Sequence, residues 1–417
     1  MKNISKWKTC AAATALLAFL PWNAGAECKV YESQWDDYKS IVMENDLVRV
    51  SIIPESNGMI AEYFFKQEGF NAIAPIESKK FSLMPEVAVV DTNFGGYKDW
   101  TLETGVVKTE KKYDFKILKK SGESASVEVS YSSYVNLRRV MTIHDKSTLL
   151  DIILTVTNIT DQPCKFSYWA HTLITPAGLV KNREVFYVPV AANKTCVRRN
   201  GCLKSASTTV NETVNTAAEC ASASFIPAQG WKGVLNKEKK ALYCEVMPFS
   251  EIENDGFFDF WKGQKGGELG NPVSLLTSET VFPALTINPN KSVELELSML
   301  QTSGLDGLSY AGKNICLYSP CKSVKSGQKM PVRMNSACTL TDCSIQLELI
   351  DGTGKSVHAI AAQTVSLTPL SAVTAQFDIP ASPEIPKGEY GVKFILKDSA
   401  GKELESSVIL GIKITVE

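Results

Sequence analysis

Histidine is scarce in this chain: three residues of 417, at positions 144, 171 and 358. That is too few for a histidine-rich metal centre, and no metal site is expected. The sequence also lacks GxSxG, HExxH, a phosphate-binding P-loop and a dinucleotide glycine fingerprint placed after a strand. Their absence sets aside the motif-bearing hydrolases, metalloproteases and nucleotide enzymes, and no cofactor is expected. Charge is balanced, with 44 Lys plus Arg against 45 Asp plus Glu, so there is no basic footprint for a nucleic-acid partner. No apolar run is long enough to span a bilayer, so no membrane span is expected. Helical periodicity is missing as well. Beyond the first 26 residues no long segment repeats at 3.6 residues.

What is present begins with an export signal. Lys2, Lys6 and Lys8 precede the apolar run "CAAATALLAFL" (10–20) and the small-residue site "AGA" (24–26). Residues 1–26 read as a secretory signal peptide, which predicts a periplasmic or extracellular protein. Ten cysteines follow it: Cys28, Cys164, Cys196, Cys202, Cys220, Cys244, Cys316, Cys321, Cys338 and Cys343. An even number in an exported chain points to disulfides. Metal binding is the rival reading, but there is no CxxC, and the x4 spacings of Cys316–Cys321 and Cys338–Cys343 are loose for zinc. The four C-terminal cysteines are expected to pair among themselves, with connectivity open.

Period-two alternation dominates the rest. "LVRVSII" (47–53), "SVEVSYSSYV" (126–135), "RRVMTI" (138–143), "LLDIILTV" (149–156), "SVELELSML" (292–300), "SIQLELI" (344–350) and "GVKFIL" (391–396) all read as strands. "DGTGK" (351–355), "DSAGK" (398–402) and "INPNKS" (287–292) read as turns. The fold class is therefore all-β. The small, Gly-rich stretch 302–313 marks a boundary between residues 27–305 and 306–417. The second part has the length and strand rhythm of an immunoglobulin-like sandwich and resembles one in "PKGEYGVKFIL", with Tyr390 as a corner tyrosine. Residues 191–224, rich in Ala, Thr, Ser and Asn with three cysteines, read as a disulfide-pinned excursion, either a decorated loop or a lid.

Four segments carry a likeness to a known family. "ENDLVRVSIIPESNGMIAEYFF" (44–65) has the form of an opening hairpin. "NFGGYKDW" (93–100) holds a Gly-Gly loop and a tryptophan. "VTNITDQPCKFSYWAH" (156–171) is a turn-forming hairpin that ends on a histidine thirteen residues after Asn158. "SETVFPALTINPNKSVELELSML" (278–300) holds an acid, a Pro and a Pro-x-x-Ser turn. Together they resemble the galactose mutarotase-like family, the aldose 1-epimerase superfamily. The resemblance implies a large antiparallel supersandwich with a concave carbohydrate site. It implies His171 as the acid that protonates the ring oxygen and Glu279 as the base that takes the anomeric proton. It also exposes two departures. Phe94 stands where the mutarotases have a second histidine, and Met59 stands where the first hairpin has an arginine.

Carbohydrate sites use aromatic faces and carboxylates. Phe94, Trp100, Trp169, Asp259 and Trp261 are therefore the candidate substrate-binding residues, the last two within the cluster "NDGFFDFWKGQKGGELGNP" (254–272). Each has a plain structural alternative: a packed histidine, a solvated strand-end glutamate, tryptophans in a core. Two functions follow, a sugar isomerase working by acid/base catalysis and a non-catalytic carbohydrate-binding or scaffold protein. The sequence leaves the sugar and the oligomeric state open.

Overall fold

Alternating burial builds the sheets. Along Leu150–Asn158, Leu150, Ile152, Leu154 and Val156 are buried, and Asp151, Ile153, Thr155 and Thr157 lie half-buried on the opposite face. Period-two chains rich in β-branched residues suit a pleated, half-buried surface. The computed structural model describes residues 27–35, 37–73, 96–101, 111–174, 184–190, 212–215, 221–265, 273–381 and 385–417. Among these the helical content is one 3₁₀ turn, Phe249–Glu251. The signal segment, Phe94 and most of the 191–224 excursion lie outside the described residues.

The expected strands are found: Val48–Ile53 falls within its sequence pattern, and Val135–His144, Leu150–Asn158, Ser292–Ser303, Leu340–Ile350 and Gly388–Lys397 run longer than theirs. The stretch 126–135 is divided. Strands Ser124–Ser132 and Val135–His144 meet at a turn where the Ser133 N–H donates to the Val135 carbonyl at 2.9 Å. "DGTGK" and "DSAGK" close as turns in which Asp351 and Asp398 accept backbone N–H bonds from residues two and four positions on.

Two antiparallel sheets, of eleven and nine strands, make the first part of the molecule. Their shared core holds Val50, Tyr63, Tyr97 and Phe258 from one sheet, Val127, Met141, Leu154, Phe186 and Met299 from the other, and Phe166 from the short strand pair between them in sequence. The chain crosses from the nine-stranded to the eleven-stranded sheet at the Asn158 hairpin. There the Asn158 amide donates to the Gln162 and Ile287 carbonyls, and its Oδ1 accepts from the Thr160 backbone and hydroxyl. Cys164–Phe166 then pairs with Leu285–Ile287, and Tyr168–Leu173 enters the larger sheet.

Residues from 310 onward form a four-stranded and a five-stranded sheet. Their core is continuous with the back of the nine-stranded sheet: Trp231, Leu235, Leu242 and Leu300 join Leu305, Leu308, Val332, Phe377 and Phe394 in one buried cluster. The stretch expected to be a boundary runs through this cluster, with Leu305, Leu308 and Ala311 all buried. Its small residues are packing choices. A Cβ on Gly312 would sit 1.4 Å from Glu405 Oε1. Tyr310 lies between Trp231 and Phe394, at ring separations of 6.1 and 4.8 Å, and its hydroxyl donates to Glu405 at 2.7 Å.

The expected disulfides are absent from the described residues. Cys28, Cys164, Cys244, Cys316, Cys321, Cys338 and Cys343 form no disulfide, and Cys196, Cys202 and Cys220 lie outside the described residues. No disulfide joins the four C-terminal cysteines to one another, and the Cys316 thiol is hydrogen-bonded with that of Cys244. Cys316 is in the four-stranded sheet, Cys343 in the five-stranded sheet with its thiol on the Thr341 carbonyl, and Cys338 beside the Ser336 hydroxyl. Buried thiols of this kind behave as small apolar side chains. Thiol titration in denaturant without reductant should therefore count at least these seven, and a count near zero would contradict the structure. The shared core predicts a single urea transition for the whole chain. Tyr310→Ala should lower its stability by about 3–5 kcal/mol, as for other buried aromatics; two separate transitions in the parent protein would contradict the continuity of the core.

Candidate active site

The eleven-stranded sheet has one face on the shared core and one face turned away from it. Strand alternation sorts the residues of Gly96–Thr101, Tyr168–Leu173, Phe257–Lys265 and Val273–Val281 between the two. Tyr97, Tyr168, Ala170, Phe258 and Phe260 belong to the core. Lys98, Trp169, His171, Asp259 and Glu279 occupy the alternate positions. Residues paired across antiparallel strands share a face. The register sets Ser224 opposite Asp259, Asp259 opposite Glu279, Glu279 opposite His171 and His171 opposite Lys98. Five strands thus contribute one transverse polar row.

Each member is held by its neighbours. Ser224 donates to Asp259 Oδ1 at 3.0 Å. His171 Nε2 stands 3.5 Å from Glu279 Oε1, with the two side chains 12% and 6% exposed. The Trp169 ring meets the imidazole edge-on, centroids 6.5 Å apart. The strand carrying Lys98 starts at Gly96, whose φ of +92° and 2.2 Å Cβ approach to the Ile60 carbonyl admit only glycine. This is the physical content of the Gly-Gly motif.

Beneath the row, on the core side, lie two buried ion pairs. Arg139 Nη1 is 2.6 Å from Asp99 Oδ2, and Asp99 Oδ1 accepts the Tyr168 hydroxyl at 2.6 Å. The Tyr97 and Tyr168 hydroxyls are hydrogen-bonded, and Arg139 also donates to the Gly58 carbonyl. Lys232 Nζ is 3.0 Å from Glu245 Oε2, both essentially inaccessible.

Burial separates the two candidate catalytic groups. Desolvation, with the charge of Asp259 in support, pushes Glu279 up to about 7, against opposing effects of a Thr277 hydrogen bond and the Lys232 charge. Desolvation pulls His171 down to about 3, and the charges of Lys98 and Lys232 push the same way. At neutral pH the imidazole is neutral and the carboxyl is shared between its protonated and ionised forms. The arrangement is thus a carboxyl poised for proton transfer beside a neutral hydrogen-bonding ring.

Of the residues picked out in the sequence, His171, Glu279, Asp259 and Trp169 converge on this face. The backbone register sets Trp100 opposite Trp169 and Trp261 opposite Thr277; Phe94 lies outside the described residues. Sequence reading missed Lys98, Ser224, Thr277 and the buried Lys232–Glu245 pair. A signal for the pair exists, since Lys232 and Glu245 are the lone charges in the strands "WKGVLN" and "ALYCEV". Among the described residues no group of three or more His, Cys, Asp or Glu is arranged to hold a metal, and no helix is long and apolar enough to cross a membrane.

No family model and no curated protein matches this sequence. Solved structures do. A galactose mutarotase-like protein from Clostridium acetobutylicum aligns at TM-score 0.47 and 12% identity, over 66% of this chain and 99% of that one. A galactose mutarotase-like protein from Lactobacillus casei aligns at 0.44 and 11%, over 63% and 99%. A TPR-domain containing protein from Parabacteroides distasonis aligns at 0.47 and 13%, over 64% of this chain, which spans 47% of that one. The similarity is one of fold, across about two thirds of the chain.

The two shifted groups make opposite contributions to stability. Unfolded, His171 titrates near 6.5. From pH 6.5 down to about 3 the unfolded chain takes up a proton that the folded chain refuses, so stability falls as pH falls through that window. Unfolded, Glu279 titrates near 4.5. From 4.5 to about 7 the folded chain keeps a proton that the unfolded chain releases, so stability falls as pH rises through that window. Each slope is at most about 1.4 kcal/mol per pH unit. Urea midpoints measured from pH 4 to 8 should show Glu279→Gln gaining on the parent as pH rises toward 7, and His171→Gln gaining on it as pH falls below 6.5. Parallel profiles for parent and variants would contradict these environments.

Proposed function

We propose that this protein binds a sugar over the transverse row and interconverts its anomers, in the manner of an aldose 1-epimerase. The observation that carries the reading is the His171–Glu279 pair, 3.5 Å apart on one sheet face, with the carboxyl lifted to about 7. Ring opening needs a proton removed from the anomeric hydroxyl and a proton delivered to the ring oxygen. Both oxygens sit on the same carbon, so one carboxyl can serve both. The protonated Glu279 gives its proton to the ring oxygen while its other oxygen receives the anomeric proton. The C1–O5 bond breaks, the carbonyl forms, and the carboxyl ends protonated as it began. Closure on the other face of the carbonyl reverses these steps.

In this scheme His171 holds the sugar or the carboxyl as a neutral hydrogen-bonding group. That differs from the imidazolium-donor role implied by the family resemblance, because a ring pulled down to about 3 carries almost no proton at neutral pH. Asp259 helps to keep Glu279 protonated, and Trp169 supplies an aromatic wall. The signal-like composition of residues 1–26 supports a site of action outside the cytoplasm. The C-terminal sheets act as an immunoglobulin-like accessory module, a reading supported by the Tyr390 hydroxyl donating to the Pro386 carbonyl at 2.7 Å, as a corner tyrosine does.

A second reading, a carbohydrate-binding protein that has lost turnover, is favoured by Phe94 at the second-histidine position and by the low exposure of the pair. Anomer exchange followed by proton NMR across neutral aldoses and uronic acids decides between them. The isomerase should exceed the spontaneous rate, lose activity as pH rises through about 7, and lose roughly two to four orders of magnitude in Glu279→Gln, the usual worth of a positioned acid or base. No acceleration, together with sugar binding that is lost in Trp261→Ala, would establish the binding reading instead.

A further inference from the structure

A lysine sealed inside a β-sandwich needs a reason. Replacing a buried ion pair by apolar groups of similar volume is often neutral or stabilising, so stability alone does not account for Lys232 and Glu245. Where the pair reaches is informative. Lys232 Nζ stands 5.3 Å from the Phe258 ring centroid and 5.6 Å from that of Phe260. These two residues flank Asp259. Glu245 accepts the Thr280 hydroxyl at 3.3 Å and the Tyr243 hydroxyl at 2.9 Å. Thr280 follows Glu279. These contacts of the pair with the eleven-stranded sheet fall on chain neighbours of the two acidic members of the row. The pair lies behind the sheet, and the row lies in front of it.

We infer that Lys232 is a positioning residue for the row: from behind the sheet its ammonium governs how readily Glu279 and His171 take up protons, while Glu245 ties down the strand that carries Glu279. The groups facing Glu279 are His171, Asp259, Thr277 and Trp169 on its own face and the Lys232–Glu245 pair from the opposing sheet; Lys98 faces His171. Burial lowers the Lys232 ammonium, and Glu245, then Glu279 and Asp259, raise it again. A cation there favours the ionised carboxylate and disfavours the imidazolium, the direction in which its charge acts on both groups. The purpose assigned to this device rests on the proton-transfer reading above, but its existence does not.

The test is direct titration of the full chain, with no substrate present. Histidine labelled at Cε1 and glutamate labelled at Cδ report the two midpoints by carbon NMR, assigned with His171→Gln and Glu279→Gln. In Lys232→Met/Glu245→Gln, which removes both charges and keeps an acceptor for Tyr243 and Thr280, the Glu279 and His171 midpoints should both rise, by about one pH unit. A purely structural role predicts another pattern. Loosened packing admits water, which would lower Glu279 toward 4.5 while raising His171. That pattern, or two unmoved midpoints, overturns the inference. If this variant fails to fold, Lys232→Gln/Glu245→Gln, which keeps an amide hydrogen bond in the same slot, gives the same readings. Raised midpoints in a protein with no anomer exchange would uphold this inference and sink the isomerase; exchange with unmoved midpoints would do the reverse.

Discussion

The site depends on one register. His171 lies opposite Glu279 only because Tyr168–Leu173 pairs with Val273–Val281 in a single alignment. A slip of one residue would turn the imidazole into the core and bring Ala170 or Thr172 to the outer face. The Asn158 turn guards against that slip. Its side chain makes four hydrogen bonds, one of them to Ile287, which lies just beyond the partner strand. The same asparagine therefore fixes where the hairpin turns and how the following strand meets its neighbour.

Charge then determines what the register can do. The row in front of the sheet and the ion pairs behind it are close enough to feel one another through a layer of backbone, and little water screens them. This is why a carboxylate and an imidazole a few ångströms apart are driven in opposite directions rather than forming a simple ion pair. A fully hydrated His–Glu pair would hold an ionised carboxylate at neutral pH and a ring that charges below about 6.5. Here desolvation outweighs mutual attraction for both partners, and the neutral–neutral form becomes accessible.

Much of this was legible in the sequence, and the remainder was hidden for physical reasons. Strands such as Leu150–Asn158 announce themselves because one face is buried and the other is not. The Asp351 and Asp398 turns announce themselves because a short carboxylate can accept bonds from its own following backbone. His171, Glu279 and Asp259 were found because unusual residue types sat at marked places. Lys98 was not, since nothing in "GGYKDW" says which of Lys98 and Asp99 faces out; only pairing across strands decides that. The stretch 302–313 carries the chain from the first two sheets to the last two, and its composition says more than that. Small polar residues mark exposed linkers, but they also mark places where two sheets approach closely, as at Gly312 against Glu405. The cysteine count misled because parity carries no information about which elements the thiols end up on.

The direction of the row has a consequence for how the protein comes into being. Its residues, numbered 98, 171, 224, 259 and 279, stand side by side only after strands distant in sequence have paired. Such topologies fold slowly, because chain entropy is lost before distant contacts compensate for it. Until the last of these strands docks, Lys98, Asp259 and Glu279 have no shared surface, and Lys232 and Glu245 have no sandwich to be buried in. The site is thus a late product of folding, and its completeness is a sign that the whole sheet has closed.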